Sequence, residues 1–287
     1  MSYDLFLKPG ATPLSKDQFE SYFSERPHFT VNNGQAFYEN KDTGVYFSFD
    51  YESGDEEDSV AFNLNYFRPH FFGLEAAPVV AAFISSFNLS VDDPQYDGMG
   101  DGPFSIEGFL RGWNAGNRFG YRAMLSRNDR SEIHVYPTDD LERVWRWNFN
   151  RAAMQNIVGD SLFVPRFMFM KGATMARTAI VWPDACPIYM PKADLVIVIR
   201  DELSTTPTAD DPREVTVVEW AEVESIVNDY PYDEEHGHFR LEYDLVPSAV
   251  VEFVQSLPLV SHDRDMGLAC DSILNVELVA EATKTEQ

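Results

Sequence analysis

The residues best suited to metal chemistry are two histidines, His236 and His238, which are separated by one glycine and follow an acidic run. Alternate residues of a strand project to one face, so the two imidazoles could bind one zinc ion together. The spacing specifies no third ligand. We therefore interpret the segment as a solvated acidic turn with two histidines, and we expect no metal and no other cofactor.

A Gly/Asp-rich stretch, residues 92–103, contains parts of two further motifs. Residues 93–98 are similar to the start of a calcium-binding loop, but Phe104 stands where that loop needs a bidentate Glu. Residues 98–103 (GMGDGP) are similar to a phosphate loop but lack the Lys and Ser/Thr that follow one. We assign neither function and expect a linker or a long loop.

Motifs for nucleophilic catalysis and for zinc-dependent hydrolysis are also missing, since the sequence has neither GxSxG nor HExxH. Cys186 and Cys270 belong to no CxxC pair, and neither has a local setting typical of a nucleophile. We therefore expect no catalytic residue, no disulfide and a protein that is not an enzyme.

The sequence pattern predicts the following secondary-structure elements for residues 1–93. They comprise a strand, a helix, three or four strands, a second helix and a strand. Ser15 is a suitable N-cap for a helix that carries Phe19 and Tyr22. Asn33-Gly34 predicts a hairpin, because both residue types tolerate positive φ.

Residues 104–287 also mix helices and strands. Helices are predicted at 105–126, 139–158, 221–227 and 247–257, and strands at 162–170, 178–182, 188–190, 195–200, 214–218, 239–244 and 273–280. The fold class is therefore α+β, with two halves built of mainly antiparallel sheets and helices packed on one face. The predicted domains are 1–93 and 104–287, joined by a Gly/Asp-rich linker or loop at 94–103.

Four glycines, Gly108, Gly112, Gly116 and Gly120, recur at every fourth residue. On a helix they share one face, where another backbone could approach closely. Each costs about 1 kcal/mol relative to Ala in a helix interior. Part of this stretch could instead be a loop.

The charge pattern is the most informative feature for function. The net charge is −25, of which residues 50–101 carry −10 and residues 200–244 carry −11, whereas residues 111–151 contain eight arginines. Nucleic acids and anionic membranes would be repelled at long range, so we expect the protein to bind neither directly. The start of the chain lacks the basic segment of a secretory signal, and no apolar window is long enough for a membrane span. We expect a reduced, cytoplasmic protein.

The candidate partner-binding residues are acids interleaved with tyrosines, a composition common in binding hot spots. They are Asp50, Glu52, Asp55, Glu56, Glu57, Asp58, Asp229, Tyr230, Tyr232, Asp233, Glu234 and Glu235. Two interpretations stay open. In one, the acidic windows converge on a surface for a basic partner. In the other, they keep the protein soluble and pair with the arginines.

Several short segments resemble those of uncharacterised bacterial cytoplasmic proteins, some of which are similar to immunity proteins encoded beside secreted toxins. The segments are 2–6 (SYDLF), 34–36 (GQA), 44–47 (GVYF), 163–166 (FVPR) and 181–184 (VWPD). The resemblance implies a non-enzymatic, acidic α+β protein that binds and blocks a cognate toxin. It implies no particular functional residue.

These observations lead to a hypothesis and an alternative. The hypothesis is an immunity-type inhibitor of a basic toxin, such as a nuclease, whose nucleic-acid groove would attract the same carboxylates. The alternative is a small-molecule-binding domain or enzyme with a pocket between the two halves, in which arginines bind an anionic ligand.

Overall fold

The computed structural model describes residues 1–10, 12–54, 58–126, 133–204, 214–258 and 266–284. Their helices and mainly antiparallel strands confirm the predicted α+β class. The helices are α1 (Lys16–Ser24), α2 (Phe71–Phe87), α3 (Ile106–Leu125), α4 (Thr138–Val158), α5 (Trp220–Val227), α6 (Ser248–Ser256) and α7 (Val276–Lys284). Within these ranges, no helix has both the length and the apolar composition that crossing a bilayer requires.

The strands are mostly short. The first eight are β1 (Ser2–Lys8), β2 (Phe29–Asn32), β3 (Gln35–Asn40), β4 (Val45–Glu52), β5 (Ser59–Asn65), β6 (Ser90–Asp93), β7 (Gly100–Gly102) and β8 (His134–Tyr136). The others are β9 (Met168–Met170), β10 (Arg177–Pro183), β11 (Ile188–Pro191), β12 (Leu195–Arg200), β13 (Glu214–Glu219), β14 (Tyr232–Asp233), β15 (His238–Leu241), β16 (Gly267–Leu268) and β17 (Ile273–Asn275).

Contacts divide the chain into two compact units. Unit 1 contains Met1–Glu142 and Asp271–Gln287, and unit 2 contains Arg143–Cys270. The sequence-based boundary at 94–103 differs from this division, because β7 pairs with β6 and so continues the sheet of unit 1. Immediately after β7, the Ser105 side chain accepts a hydrogen bond from the backbone N–H of Gly108 and caps α3.

Unit 1 is built on a seven-stranded sheet with the order β2-β3-β4-β5-β1-β6-β7, in which every neighbouring pair is antiparallel. Side chains alternate across it, so that in β1 Tyr3, Leu5 and Leu7 are buried while the residues between them are only half-buried. Antiparallel sheets commonly bury one face and leave the other to solvent.

Aromatic side chains from three helices pack on the buried face. Phe23 of α1 and Phe83 of α2 both contact Phe49 of β4, with ring centroids 4.8 and 5.3 Å apart. Phe109 of α3 packs 5.8 Å from Phe62 of β5. The three helices thus cover the same side of the sheet, as the sequence predicts for helices on one face.

The glycines of α3 allow a close approach within a continuous helix. A Cβ at Gly116 would overlap the ring of Tyr66, and one at Gly112 would lie 2.8 Å from the hydroxyl oxygen of Tyr3. The Tyr66 ring also stacks on Trp113, with centroids 5.5 Å apart. The close approach predicted for another backbone is thus made mainly by side chains, and α3 is helical throughout Ile106–Leu125.

Unit 2 contains a five-stranded sheet with the order β13-β12-β10-β9-β16 and a three-stranded sheet with the order β11-β15-β14. The β10–β12 pair is parallel and its neighbours are antiparallel. Arg200 at the end of β12 is buried, and its Nη1 donates to the carbonyl oxygens of Val254 and Leu257 at 2.9 and 3.0 Å. The guanidinium thereby satisfies carbonyls at the C-terminal end of α6.

The strand predicted at 273–280 is wrong beyond Asn275, where α7 begins. The first three residues do pair, in parallel, with β8. Asn275 is fully buried, and its Oδ1 accepts from the backbone N–H of His70 and from the Tyr121 hydroxyl, both at 3.1 Å. The following residues pack as a helix against α3. Tertiary packing overrides the local strand pattern here.

Candidate protein-binding surface

The second face of the unit 1 sheet carries most of the acidic residues of its strands. We define the open face as the outward side chains of β1 to β7, all of which are half-buried or exposed. Its carboxylates are Asp4, Glu39, Asp50, Glu52, Asp92 and Asp101. Lys8 is the one Lys or Arg in these seven strands, and its ammonium binds Asp92 at 2.7 Å. The open face therefore has a strong excess of negative charge.

Strand register aligns these carboxylates across the sheet. Asp101 lies directly opposite Asp92, which in turn faces Phe6 of β1. Phe6 faces Ala61, and Ala61 faces Asp50. Asp92 and Asp101 are the directly opposed pair; like charges in such a pair disfavour strand pairing, and the Lys8 ammonium on Asp92 offsets part of that repulsion.

Neutral donors orient two of these carboxylates. Asp4 accepts from the Ser2 hydroxyl at 2.8 Å and from the Asn63 amide at 2.6 Å. Asp50 accepts from the Gln35 amide at 2.6 Å and from the Ser48 hydroxyl. Such hydrogen bonds position a carboxylate without neutralising its charge. The negative potential of the open face is thus available to a cationic partner.

The first predicted group of site residues falls only partly on the open face. Asp50 and Glu52 are outward residues of β4. Asp58 instead accepts a hydrogen bond of 2.6 Å from the hydroxyl of Tyr51, whose ring packs against Phe19. Residues Asp55, Glu56 and Glu57 lie outside the described residues.

The second predicted group surrounds a hairpin of unit 2. Asp229 is exposed and Tyr230 half-buried before β14, and Tyr232 packs its half-exposed ring 4.8 Å from Phe239. Glu234 and Glu235 are exposed in the turn between β14 and β15. Within unit 2 these residues form a local acidic hairpin that is separate in the chain from the open face.

Asp233 has a structural role in that hairpin. Its Oδ1 accepts a 2.9 Å hydrogen bond from the backbone N–H of His236, and the imidazole Nδ1 lies 3.1 Å from Oδ2. The backbone hydrogen bond from His236 is the main cause that lowers the pKa of Asp233. The carboxylate therefore closes the turn, and a substitution there would disturb the hairpin itself.

The two histidines do not form a metal centre with neighbouring acids. In the described ranges, no group of three or more His, Cys, Asp or Glu side chains has a metal-binding arrangement. His236 is exposed, whereas His238 is buried 4.3 Å from the ring of Tyr189 and 5.6 Å from that of Trp147. Burial lowers the pKa of His238.

The arginines of the middle segment contribute to a cavity of unit 2. Arg143 and Arg146 of α4 line a space of about 530 Å³ together with the exposed Glu234 and Glu235. The charged lining is therefore balanced and does not select an anion.

The thiol of Cys186, also in unit 2, is not activated as a nucleophile. Burial raises its pKa to about 11, whereas activation of a thiol requires a lowered pKa.

Sequence reasoning missed four carboxylates of the open face as site residues, namely Asp4, Glu39, Asp92 and Asp101. Asp4 and Glu39 fall in a segment whose net charge is only −2, whereas Asp92 and Asp101 lie in the acidic window 50–101 but in a stretch expected to be a linker or a long loop. The available signal was strand parity, because these acids alternate with residues that face the core or the opposite side of the sheet. Counting charge by strand face rather than by segment would have found them.

The chain matches no protein-family model, no curated protein and no solved structure. The open face has dense negative charge on a rigid sheet, which suits recognition of a cationic partner.

Proposed function

We propose that this protein binds a basic protein partner through the open face of unit 1. The observation that supports the proposal is the excess of six carboxylates on the open face, three of them aligned by strand register, over two cations, Lys8 on Asp92 and Arg68 on the outward Tyr46. Charges that only maintain solubility could be scattered over the surface, without the repulsion between the directly opposed Asp92 and Asp101.

The physical effect expected of the open face is electrostatic steering. Clustered charge of one sign raises association rates with an oppositely charged partner by 10- to 1000-fold, in a salt-dependent manner, as an order-of-magnitude range. Because the carboxylates are held on a sheet, little side-chain or backbone ordering is needed on binding. The partner's basic surface would replace water and counterions over the strands.

The more specific function within this proposal is an immunity-type inhibitor. A toxin that acts on nucleic acid carries a basic groove, and an acidic sheet face would compete with the polyanionic substrate for that groove. This assignment draws on the resemblance of short segments to immunity-type proteins and on the excess of acids. Inhibition would follow from occlusion, with no reaction performed by this chain.

The experiment compares three forms of the full chain. The open-face variant carries Glu39→Lys, Glu52→Lys and Asp101→Lys, all at exposed positions outside the hydrogen bonds that orient Asp4 and Asp50. The control variant has the same change in charge at exposed acids on or beside the helices, Asp17→Lys, Glu25→Lys and Glu107→Lys. Circular dichroism and urea unfolding check that both variants retain the fold.

Partners captured by the tagged wild-type chain from its native cells are identified by mass spectrometry, and association rates are then measured at about 50 and about 300 mM salt. We expect the open-face variant to associate at least about tenfold more slowly at low salt, with a smaller effect at high salt. The control variant should stay within about twofold. Equal slowing in both variants, or no slowing, contradicts the proposed surface.

A fourth form of the chain and a functional assay complete the test. Glu234→Lys with Glu235→Lys reverses the hairpin of unit 2 while leaving Asp233 in place, and slowing by this pair alone would assign recognition to unit 2. The purified partner is then assayed for its own activity with and without one equivalent of the chain. An active complex would exclude the inhibitor role even where binding is confirmed.

A further inference from the structure

A pocket of about 570 Å³ lies at one end of the open face, between β1, the 94–99 loop and α3. Asp4, Tyr66, Tyr96, Asp97 and Phe119 contribute its charged and aromatic lining. Asp4 is also a carboxylate of the open face, so the pocket is continuous with the proposed binding surface. We call it the aromatic pocket.

Large apolar side chains are unusually exposed around it. Tyr96 is fully exposed and Phe119 is 61% exposed. Tyr66 is only 5% exposed and forms part of the pocket wall, whereas the side chains of Tyr96 and Phe119 are exposed to solvent at its rim. Exposed aromatic groups around a concavity are typical of an interaction site rather than of a solvated surface.

The loop that carries Tyr96 is fixed by buried and charged neighbours. The Asp93 carboxylate accepts from the backbone N–H groups of Gln95 and Met99 at 3.0 and 2.9 Å. Arg111 of α3 donates to the carbonyl oxygens of Asp97 and Gly98. The loop is therefore attached to both β6 and α3, and the rim of the pocket is formed before any partner arrives.

The wall behind the pocket is equally fixed. Tyr66 stacks on Trp113 and its hydroxyl donates to Gln95 Oε1 at 3.3 Å. The Gln95 amide donates in turn to the backbone oxygen of Asp4. Small residues of α3, among them Gly112 and Gly116, also line the pocket, and the absence of a Cβ there lets Tyr66 and Tyr3 pack directly against the helix.

We propose that the aromatic pocket receives an arginine side chain of the basic protein partner. This inference rests on the proposed function and extends it, because the pocket would supply the anchor that the flat open face lacks. Asp4 and Asp97 are the lining residues with charged side chains and both are acidic; Met1, which also lines the pocket, contributes an α-ammonium, so the acids remain in excess. Each oxygen of the Asp4 carboxylate already accepts one hydrogen bond and has a second lone pair for a guanidinium N–H.

Arginine fits this lining better than lysine or an apolar side chain. A guanidinium is planar, stacks on aromatic rings and is more weakly hydrated than an ammonium. The exposed rings of Tyr96 and Phe119 offer such stacking surfaces beside the carboxylates. An apolar side chain would leave the acids of the lining without a cationic partner.

The direct test uses three small probes on the full chain. These are acetyl-Ala-Arg-Ala-amide, its lysine analogue and the citrulline analogue, which is uncharged but almost isosteric with arginine. The protein is labelled with ¹⁵N-glycine, so that the amides of Gly112 and Gly116 report on the pocket and those of Gly34 and Gly44 serve as internal controls.

We expect saturable shifts at Gly112 and Gly116 with the arginine peptide, affinity for lysine weaker by about threefold, and no saturation with citrulline. Asp4→Asn and Phe119→Ala should each weaken the arginine peptide by about threefold or more. Ile106→Ala, an exposed apolar residue on the same helix outside the pocket, should leave its affinity unchanged.

Equal shifts with citrulline, or none with arginine at these two glycines, would overturn the anchor. That failure is separable from failure of the proposed function. If the open-face variant slows association but the arginine peptide does not bind, the surface stands and the pocket is not its anchor. If the peptide binds as described but the open-face variant is unaffected, the pocket stands and the electrostatic surface is wrong.

Discussion

The hydroxyl of Tyr3 donates a 3.0 Å hydrogen bond to Oδ2 of Asp93 inside unit 1. Both residues are buried, and the same carboxylate holds the 94–99 loop through the backbone N–H groups of Gln95 and Met99. Burial, reinforced by the neighbouring carboxylate, raises the pKa of Tyr3 far above its usual value, so the phenol stays a proton donor. One acid thus links the core of the sheet to the rim of the aromatic pocket.

Asp93→Ala should therefore destabilise unit 1 by about 2 to 4 kcal/mol, because it leaves a buried hydroxyl and two loop N–H groups without acceptors. Asp97→Ala, at an exposed position of the same loop, should change the free energy of unfolding by less than about 0.5 kcal/mol. Urea unfolding measures both. Equal effects of the two substitutions would show that the Asp93 hydrogen bonds are energetically unimportant.

Gly116→Ala should destabilise the protein although alanine favours helix. The gain in helix propensity is about 1 kcal/mol, but the new Cβ would overlap the Tyr66 ring, which stacks on Trp113. Overpacking of this kind costs about 1 to 3 kcal/mol, so we expect a net loss in urea unfolding.

Asn114→Ala is the matched control, since Asn114 is exposed on the same helix. It should be neutral or slightly stabilising. A stabilised Gly116→Ala variant would mean that the Tyr66 ring can move away from the new Cβ at little cost in free energy.

His238 should make unit 2 sensitive to mild acid. Its pKa is lowered by burial from an ordinary value of 6.5, so the unfolded chain takes up a proton at a higher pH than the folded chain does. The stability that depends on a neutral imidazole is present above the ordinary pKa and is lost as the pH falls through and below it. Asp233 partly opposes the shift.

His238→Phe tests this effect, because the site is already bounded by the rings of Tyr189 and Trp147. Between about pH 7.5 and about pH 5.5, the wild-type free energy of unfolding should fall more than that of the variant. Parallel changes in the two proteins would assign the acid sensitivity to other groups.

Arg200→Met should destabilise unit 2 by more than about 2 kcal/mol. The substitution keeps an apolar stem but removes the Nη1 donor to the carbonyl oxygens of Val254 and Leu257. Arg240→Met removes a largely exposed arginine whose guanidinium pairs with Glu242, and it should cost less than about 1 kcal/mol. Thermal or urea unfolding that ranks the two variants the other way would contradict the capping role.

Sequence predicted those parts of the fold that local chemistry decides. Ser15 caps α1 as expected, since its side chain accepts from the backbone N–H of Gln18, and the Asn33-Gly34 hairpin has positive φ at both residues. The last strand was mispredicted because residues 273–280 are β-rich locally, whereas packing on α3 favours a helix from Val276. The β propensity of residues 273–280 reflects only their local sequence and carries no information about packing against α3.

The neighbours within the candidate site were harder to predict from the sequence. Asp50 and Glu52 were found because they lie in an acidic window, but nothing local indicates that Asp92 and Asp101 face each other. The pairing of β1 with both β5 and β6 brings Asp4 and Asp92 onto one surface from positions far apart in the chain. Such neighbours follow from strand order, which short-range patterns do not specify.

Unit 1 is discontinuous, since β17 and α7 return to it after all of unit 2. During synthesis, Tyr121 and His70 emerge long before Asn275, the buried partner of both. The whole of unit 2 must therefore be synthesised before the fold of unit 1 can be completed. Until then the α3 surface that α7 covers stays exposed, and transiently exposed surface of this kind favours aggregation of the nascent chain.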